Sequence, residues 1–326
     1  MKCTNKRMKQ IVFLVLCCIF MSGCAKTSEI ADSYQISDRN PYAGQQEEDS
    51  SLQLFTSDLC VTDNQNIGTD RTTSQVAEAA GLFNTSTLQV SYAQNIYAKM
   101  YPASTTKILT AYLVLKNCDL NDTVTVSAEA VDQASDSSVC GLNEGDVITV
   151  KDLLYGLMLA SGNDAAYALA EHCSGSQEAF TDLMNQTANS FGACNSHFMN
   201  SNGLPNEDHY TSVYDMYLIS KNAITQSTFR EIIHTSRYEA KYQDKNGTEV
   251  SRIWTNTNHY ITEEEPTPEG VSVIGGKTGT TNAAGYCLVI FAQNEKGEDL
   301  ISIVFKADGR SNLYLLMSQI LKNFSL

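Results

Sequence analysis

Two periods of apolar positions alternate along the chain. Ala79 to Phe83 and Leu88 to Tyr92 are short apolar runs separated by the turn residues Asn84-Thr85-Ser86, and they read as paired strands. From Ser104 the spacing changes to that of a helix, through Ile108, Leu109, Tyr112, Leu113 and Leu115. Further helices are predicted at Val150 to Leu159, Asp164 to His172 and Glu178 to Phe191, the last amphipathic through Phe180, Leu183, Met184 and Ala188. Another follows at Thr211 to Ala223, with Thr211 or Ser212 placed to cap it. Near the C-terminus, Gly285 to Ala292 and Leu300 to Lys306 read as strands of a hairpin turning at Asn294-Glu295-Lys296-Gly297-Glu298. A closing helix runs from Asn312 to Asn323 through Leu313, Leu316, Ile320 and Leu321. Strands at both ends around a helical middle predict a mixed α/β (α+β) fold. One antiparallel sheet would be formed from both chain ends and flanked by helices, with a helical subdomain inserted over about residues 118–250.

The first fifty residues follow neither pattern. Lys2, Lys6, Arg7 and Lys9 precede the apolar run Ile11 to Met21, which is too short to span a bilayer as a mature helix. Ser22-Gly23-Cys24 comes next, and small residues directly before a Cys resemble a bacterial lipobox. Residues 1–23 are therefore expected to be a lipoprotein signal peptide. Cys24 would be the lipidated first residue of the mature chain, anchoring it to the outer face of the cell membrane. Residues 24–50, with Gln45-Gln46-Glu47-Glu48-Asp49-Ser50, lack apolar periodicity and read as a tether. The globular domain is then 51–326.

Composition narrows the function. The 326 residues are 42 % hydrophobic and 18 % charged with 5 Pro, which excludes collagen-like and polytopic membrane proteins. Net charge is −15, and without residues 1–23 the chain keeps 18 basic against 37 acidic residues, a net of −19. That balance argues against nucleic acid as a partner, since phosphate recognition needs clustered Lys and Arg. Beyond Cys24 six cysteines remain, at 60, 118, 140, 173, 194 and 287. Outside the cytosol they could pair, and the spacing leaves bridges and buried thiols equally open. None forms C-x-x-C, and the five His at 172, 197, 209, 234 and 259 lack metal-ligand spacing, so no metal site is expected.

Three short motifs carry candidate chemistry. Ser104-Thr105-Thr106-Lys107 opens an apolar helix, and the i, i+3 spacing puts a hydroxyl and an amine on one face. A Ser hydroxyl becomes a useful nucleophile when a neighbouring base takes its proton, and a neutral Lys can do so. Ser161-Gly162-Asn163 lies between two helices, where a tight turn can offer a hydroxyl and an amide to a cleft or simply let Asn163 cap the next helix. Gly275-Gly276-Lys277-Thr278-Gly279-Thr280-Thr281 precedes the C-terminal hairpin and offers small residues for close backbone approach beside a fixed cation. It is not a phosphate loop, because that spacing requires Gly where Val271 stands.

In this order the motifs resemble the S-x-x-K, S-x-N and K-T-G set of penicillin-recognising serine enzymes. The surrounding residues Tyr101-Pro102-Ala103, Asp164-Ala165-Ala166, Asn202-Gly203-Leu204-Pro205 and His209-Tyr210-Thr211 are closest to the low-molecular-mass D-alanyl-D-alanine carboxypeptidases. The resemblance runs from about Ala79 to the C-terminus. It implies a β-lactamase/transpeptidase-like fold, no cofactor, and two ligand classes: a peptidoglycan stem peptide ending in D-Ala-D-Ala, and β-lactams. By motif position Ser104 would be the nucleophile, Lys107 its base, Ser161 a proton relay and Asn163 a holder of Lys107 and substrate. Lys277 would orient Ser161 and depress the Lys107 pKa by like charge. Thr278 and Arg310 would take the terminal carboxylate, Gly279 belongs to the same motif, and the N–H groups of Ser104 and Thr280 would form an oxyanion hole. With 47 residues after Gly279, the C-terminal β-rich domain of many relatives is expected to be missing, the lipid replacing its anchor. Two other readings share the motifs. A class A-like β-lactamase needs an E-x-x-L-N loop, absent between Asn163 and Lys277; a non-catalytic penicillin-binding sensor would not need all of Ser104, Lys107 and Lys277.

Overall fold

The strands of the main sheet come from the two ends of the globular sequence, as the apolar runs predict. The structure, a computed structural model, describes residues 57–135 and 137–326; the expected signal segment, Cys24 and the tether lie outside them. In chain order the elements are β1 (Ala77–Asn84), β2 (Gln89–Gln94), α1 (Lys107–Asn117), β3 (Thr123–Thr125), α2 (Ala128–Val131), β4 (Val147–Thr149), α3 (Val150–Met158), α4 (Asn163–Ser174), α5 (Gln177–Ser190), α6 (Val213–Ala223), α7 (Ser227–His234), β5 (Arg237–Gln243), β6 (Glu249–Thr255), β7 (Val271–Thr281), β8 (Gly285–Asn294), β9 (Asp299–Ala307) and α8 (Arg310–Phe324). Strands β2-β1-β9-β8-β7 form an antiparallel sheet in that order.

Both faces of this sheet are covered, which explains why its central strands read as unbroken apolar runs. Along β8, Cys287, Val289 and Phe291 enter the core beneath the helical layer, while Leu288, Ile290 and Ala292 face the other way onto Leu313, Leu316, Met317 and Ile320 of α8. Burying each such Leu or Ile contributes about 1.5–3 kcal/mol. At the β1–β2 turn, Asn84 Oδ1 accepts the N–H groups of Ser86 and Thr87, and Leu88 takes a left-handed φ of 58°. That conformation delays strand β2 until Gln89. The Ser212 hydroxyl caps α6 by accepting the Asp215 N–H, as expected.

The inserted region holds more than helices. A second antiparallel sheet, β3-β4-β5-β6, lies within or just beyond it. Its ribbon β5–β6 is largely exposed and polar, so no apolar run marks it. The local signal is Asn246-Gly247 at the turn, where Asp244 Oδ1 accepts the N–H groups of Asn246 and Thr248. Two further findings concern the motifs. Ser104 is not at the start of the α-helix; it sits in a 3-10 turn, Ala103–Thr106, and α1 begins at Lys107. The Gly-Lys-Thr-Gly segment, placed by the sequence only ahead of the hairpin and given no element there, is part of strand β7, at the edge of the main sheet. No helix of the described residues is long and apolar enough to cross a membrane.

Candidate active site

The 3-10 turn carrying Ser104 is wedged against β7. A Cβ built on Gly279 would come within 2.9 Å of the Ser104 nitrogen, so Gly at this position is what lets strand and turn touch. Backbone strain gathers here as well. Ala103, immediately before Ser104, has φ 47°, and Ser161 has φ 59°. Non-glycine residues in the left-handed region cost about 1 kcal/mol or more and persist where the surroundings over-determine them.

Lys107 is fully buried. Its Nζ lies 2.7 Å from Asn163 Oδ1, 2.8 Å from the Asn202 carbonyl and 3.1 Å from Ser104 Oγ. Asn163 is the first residue of α4 rather than its cap; Gly162 takes the cap position, which frees the Asn163 side chain for Lys107. A neutral amine has two N–H donors and one lone pair. The carboxamide and carbonyl oxygens accept the two donors, leaving the lone pair for the Ser104 hydroxyl. Burial is the main cause holding Lys107 well below the usual lysine range, with the Lys277 charge second. The like-charge effect expected of Lys277 is present, but it is second to burial. Lys277, also buried, is pushed down to about 7 by desolvation, and its Nζ donates to the Thr278 carbonyl at 2.9 Å.

Two adjoining recesses meet at Ser104. One of about 280 Å³ is lined by Ser161, Thr257, Thr278, Gly279, Thr280 and Arg310, with His259 and Glu264 at its margin. The other, about 390 Å³, is lined by Asn163, Asn202, Leu204, Pro205 and Asn282. Ser104, Ser138 and Thr280 belong to both. The candidate residues Ser104, Ser161, Asn163, Thr278, Gly279 and Thr280 line this cleft, and Arg310 joins them at the first turn of α8; Lys107 lies beneath it, bonded to Ser104 and Asn163, and Lys277 is buried next to Thr278.

Several contributors had no role assigned from sequence. The Asn202 backbone carbonyl holds Lys107. Thr257 Oγ1 lies 2.6 Å from Thr278 Oγ1, and His259 stacks on Tyr314 and pairs with Glu264 at 3.5 Å. His209 is buried, with its pKa pushed down to about 4 by desolvation. Its Nδ1 accepts the Met199 N–H, which leaves the ring proton on Nε2 for Thr106 Oγ1, 2.9 Å away. Asp164 binds the loop behind the cleft: Oδ1 accepts the Cys140 N–H at 2.8 Å, and Oδ2 those of Gly141 and Leu142 at 3.0 and 3.1 Å. The neighbouring Asn163 N–H donates to the Ser138 carbonyl, tying that loop to the site. Asp164→Ala strands the three loop amides, together with the Ala165 N–H that Oδ1 also accepts, and should lower Tm by roughly 5–10 °C and slow acylation, whereas Asp164→Asn, which keeps one acceptor oxygen, should lose less. Thermal melts of the two variants decide it: equal losses would show that the carboxylate pair is not what holds the loop.

Comparison with known proteins identifies the family. Residues 66–309 match the family model Peptidase S11, D-alanyl-D-alanine carboxypeptidase. The chain is 36 % identical over 238 residues to the D-alanyl-D-alanine carboxypeptidase DacF of Bacillus subtilis, covering 71 % of this chain and 57 % of that relative. It is 40 % identical over 212 residues to the D-alanyl-D-alanine carboxypeptidase of Streptomyces sp. strain K15, covering 62 % and 70 %. It therefore spans between about half and two thirds of the length of most such relatives. Among solved structures, the Streptomyces K15 DD-transpeptidase superposes with a TM-score of 0.71 at 32 % identity, covering 81 % of this chain and 99 % of that one. With a motif set converging on one cleft and a family match across most of the described residues, the chain belongs to the peptidase S11 family of D-alanyl-D-alanine carboxypeptidases.

Proposed function

We propose that this protein is a serine D,D-carboxypeptidase that removes the terminal D-Ala from peptidoglycan stem peptides and is acylated by β-lactams. The observation that carries the reading is the buried Lys107 amine, 3.1 Å from Ser104 Oγ with its donors engaged elsewhere. Lys107 takes the hydroxyl proton as Ser104 Oγ bonds to the carbonyl carbon of the penultimate D-Ala. The N–H groups of Ser104 and Thr280 receive the developing oxyanion, which is usually the largest electrostatic contribution to such a step. Collapse breaks the C–N bond; Ser161 relays the proton to the departing D-Ala amine. Water then hydrolyses the Ser104 ester, or a second amine takes the acyl group.

The 280 Å³ recess suits the departing residue, with Thr278 and Arg310 receiving its carboxylate and Lys277 buried beside them. The 390 Å³ recess suits the acyl-donor stem. Strand β7, the edge strand of the main sheet beside Ser104, would offer backbone groups to an extended peptide. The basic start, short apolar run and Cys24 support export and a lipid anchor on the outer face of the membrane, with residues 24–50 as the tether. Such an anchor would put the cleft beside its polymer.

Intact mass after exposure to penicillin, with D-Ala release measured in parallel, tests the reading. The wild type should gain one penicilloyl adduct and release D-Ala from a D-Ala-D-Ala peptide; Ser104→Ala should do neither. An adduct on Ser104→Ala would overturn the site, and an adduct without D-Ala release in the wild type would indicate a sensor instead of an enzyme.

A further inference from the structure

We propose that Cys118 and Cys173 form a disulfide that fastens the far ends of α1 and α4, the two helices whose near ends carry Lys107 and Asn163. The helices pack side by side in the same direction. At their N-terminal ends, Lys107 Nζ and Asn163 Oδ1 are 2.7 Å apart. At the opposite ends, Cys118 is the residue that ends α1, Cys173 lies in the last turn of α4, and the two thiols, both free in this structure, are direct neighbours that perturb each other. Both are half-buried against the same apolar core. A second contact joins the same segments, since His172 Nε2 is 3.4 Å from Asp122 Oδ2.

The other cysteines of the described residues differ in kind. Cys60, Cys140 and Cys287 are buried thiols whose pKa burial raises, and Cys194 stands exposed. The neighbouring Cys118 thiol lowers the Cys173 pKa, which favours Cys173 as the attacking thiolate. No group of three or more His, Cys, Asp or Glu side chains suited to a metal ion forms among the described residues, so the pair is read as a redox site.

The oxidant is a disulfide, either of a small thiol or of a thiol oxidoreductase outside the cytosol, where the proposed export would place the chain. Cys173 thiolate attacks it, forming a mixed disulfide and expelling one thiol. Cys118 thiolate then attacks the Cys173 sulfur and expels the second. Two protein thiols are oxidised and one external disulfide is reduced to two thiols. Closing a loop of about 55 residues restricts the unfolded chain, and the bridge fixes the spacing of the helices that carry Lys107 and Asn163.

The test takes full-length protein, reduced and then oxidised with glutathione disulfide, with free thiols blocked by N-ethylmaleimide before digestion and mass mapping. A peptide linking Cys118 to Cys173 is expected, and oxidation should raise Tm by about 5–10 °C, reversed by dithiothreitol. Cys118→Ser and Cys173→Ser should each melt with the reduced wild type and lose the redox response. Labelling of both cysteines after oxidation, retention of a glutathione adduct, or linkage to another cysteine would each overturn the proposal. Mapping requires no turnover, so failure here is separable from failure of the proposed activity.

Discussion

Lys107→Met should slow acylation of Ser104 by about 10²–10⁴-fold while leaving the protein folded. The magnitude is that of a positioned general base. Met keeps most of the side-chain volume and removes the amine, so the loss reports proton transfer rather than a cavity. Stopped-flow acylation by a chromogenic β-lactam measures it, and a loss below tenfold would dismiss Lys107 as the base. In the wild type the rate should fall as the solution becomes acidic, because protonating Lys107 removes the lone pair. The acid limb should lie far below the usual lysine range, since burial first and the Lys277 charge second favour the neutral amine. Lys277→Met removes that repulsion, raises the Lys107 pKa and moves the limb to higher pH. A limb displaced the other way would reject the electrostatic link between the two amines.

The second large effect comes from a backbone position. Gly203 has φ +88°, and a Cβ built on it would lie 1.9 Å from the Ala103 carbonyl oxygen and 3.0 Å from the Ser104 nitrogen. Gly203→Ala therefore carries two penalties: a left-handed backbone and a clash with the main chain that holds the nucleophile. The loop must retreat, and the adjacent Asn202 carbonyl, 2.8 Å from Lys107 Nζ, goes with it. Displacement by about 1 Å in a catalytic constellation can cost about 100-fold. We expect acylation to fall by at least that factor and Tm by several degrees. Unchanged acylation with an unchanged melt would show that the loop yields freely and that the carbonyl does not position the base.

How much could be foreseen differs from residue to residue. Ser104 and Lys107 were visible together because i, i+3 spacing shares a helical face whatever the tertiary fold. Strands β8 and β9 were visible because both faces of the sheet are covered, leaving runs such as Leu288-Val289-Ile290-Phe291. The ribbon β5–β6 was missed because one exposed, polar pair of strands leaves little apolar signal. Strand β7 was hidden by its glycines, which weaken a strand locally yet are required where β7 meets the Ser104 turn. Asn202 was quoted only as part of a motif, and its contribution is a carbonyl that any residue possesses.

Local order along the chain was enough to establish the mixed fold, the two-ended sheet, the family resemblance and which polar side chains to look for at the cleft, because spacing and burial pattern are written residue by residue. Packing alone decided which groups touch: the amide of Asn163 and the carbonyl of Asn202 reach Lys107 across 56 and 95 positions. It also decided the ionisation of that amine, since the solvent a side chain loses depends on everything folded around it and on no stretch of sequence by itself.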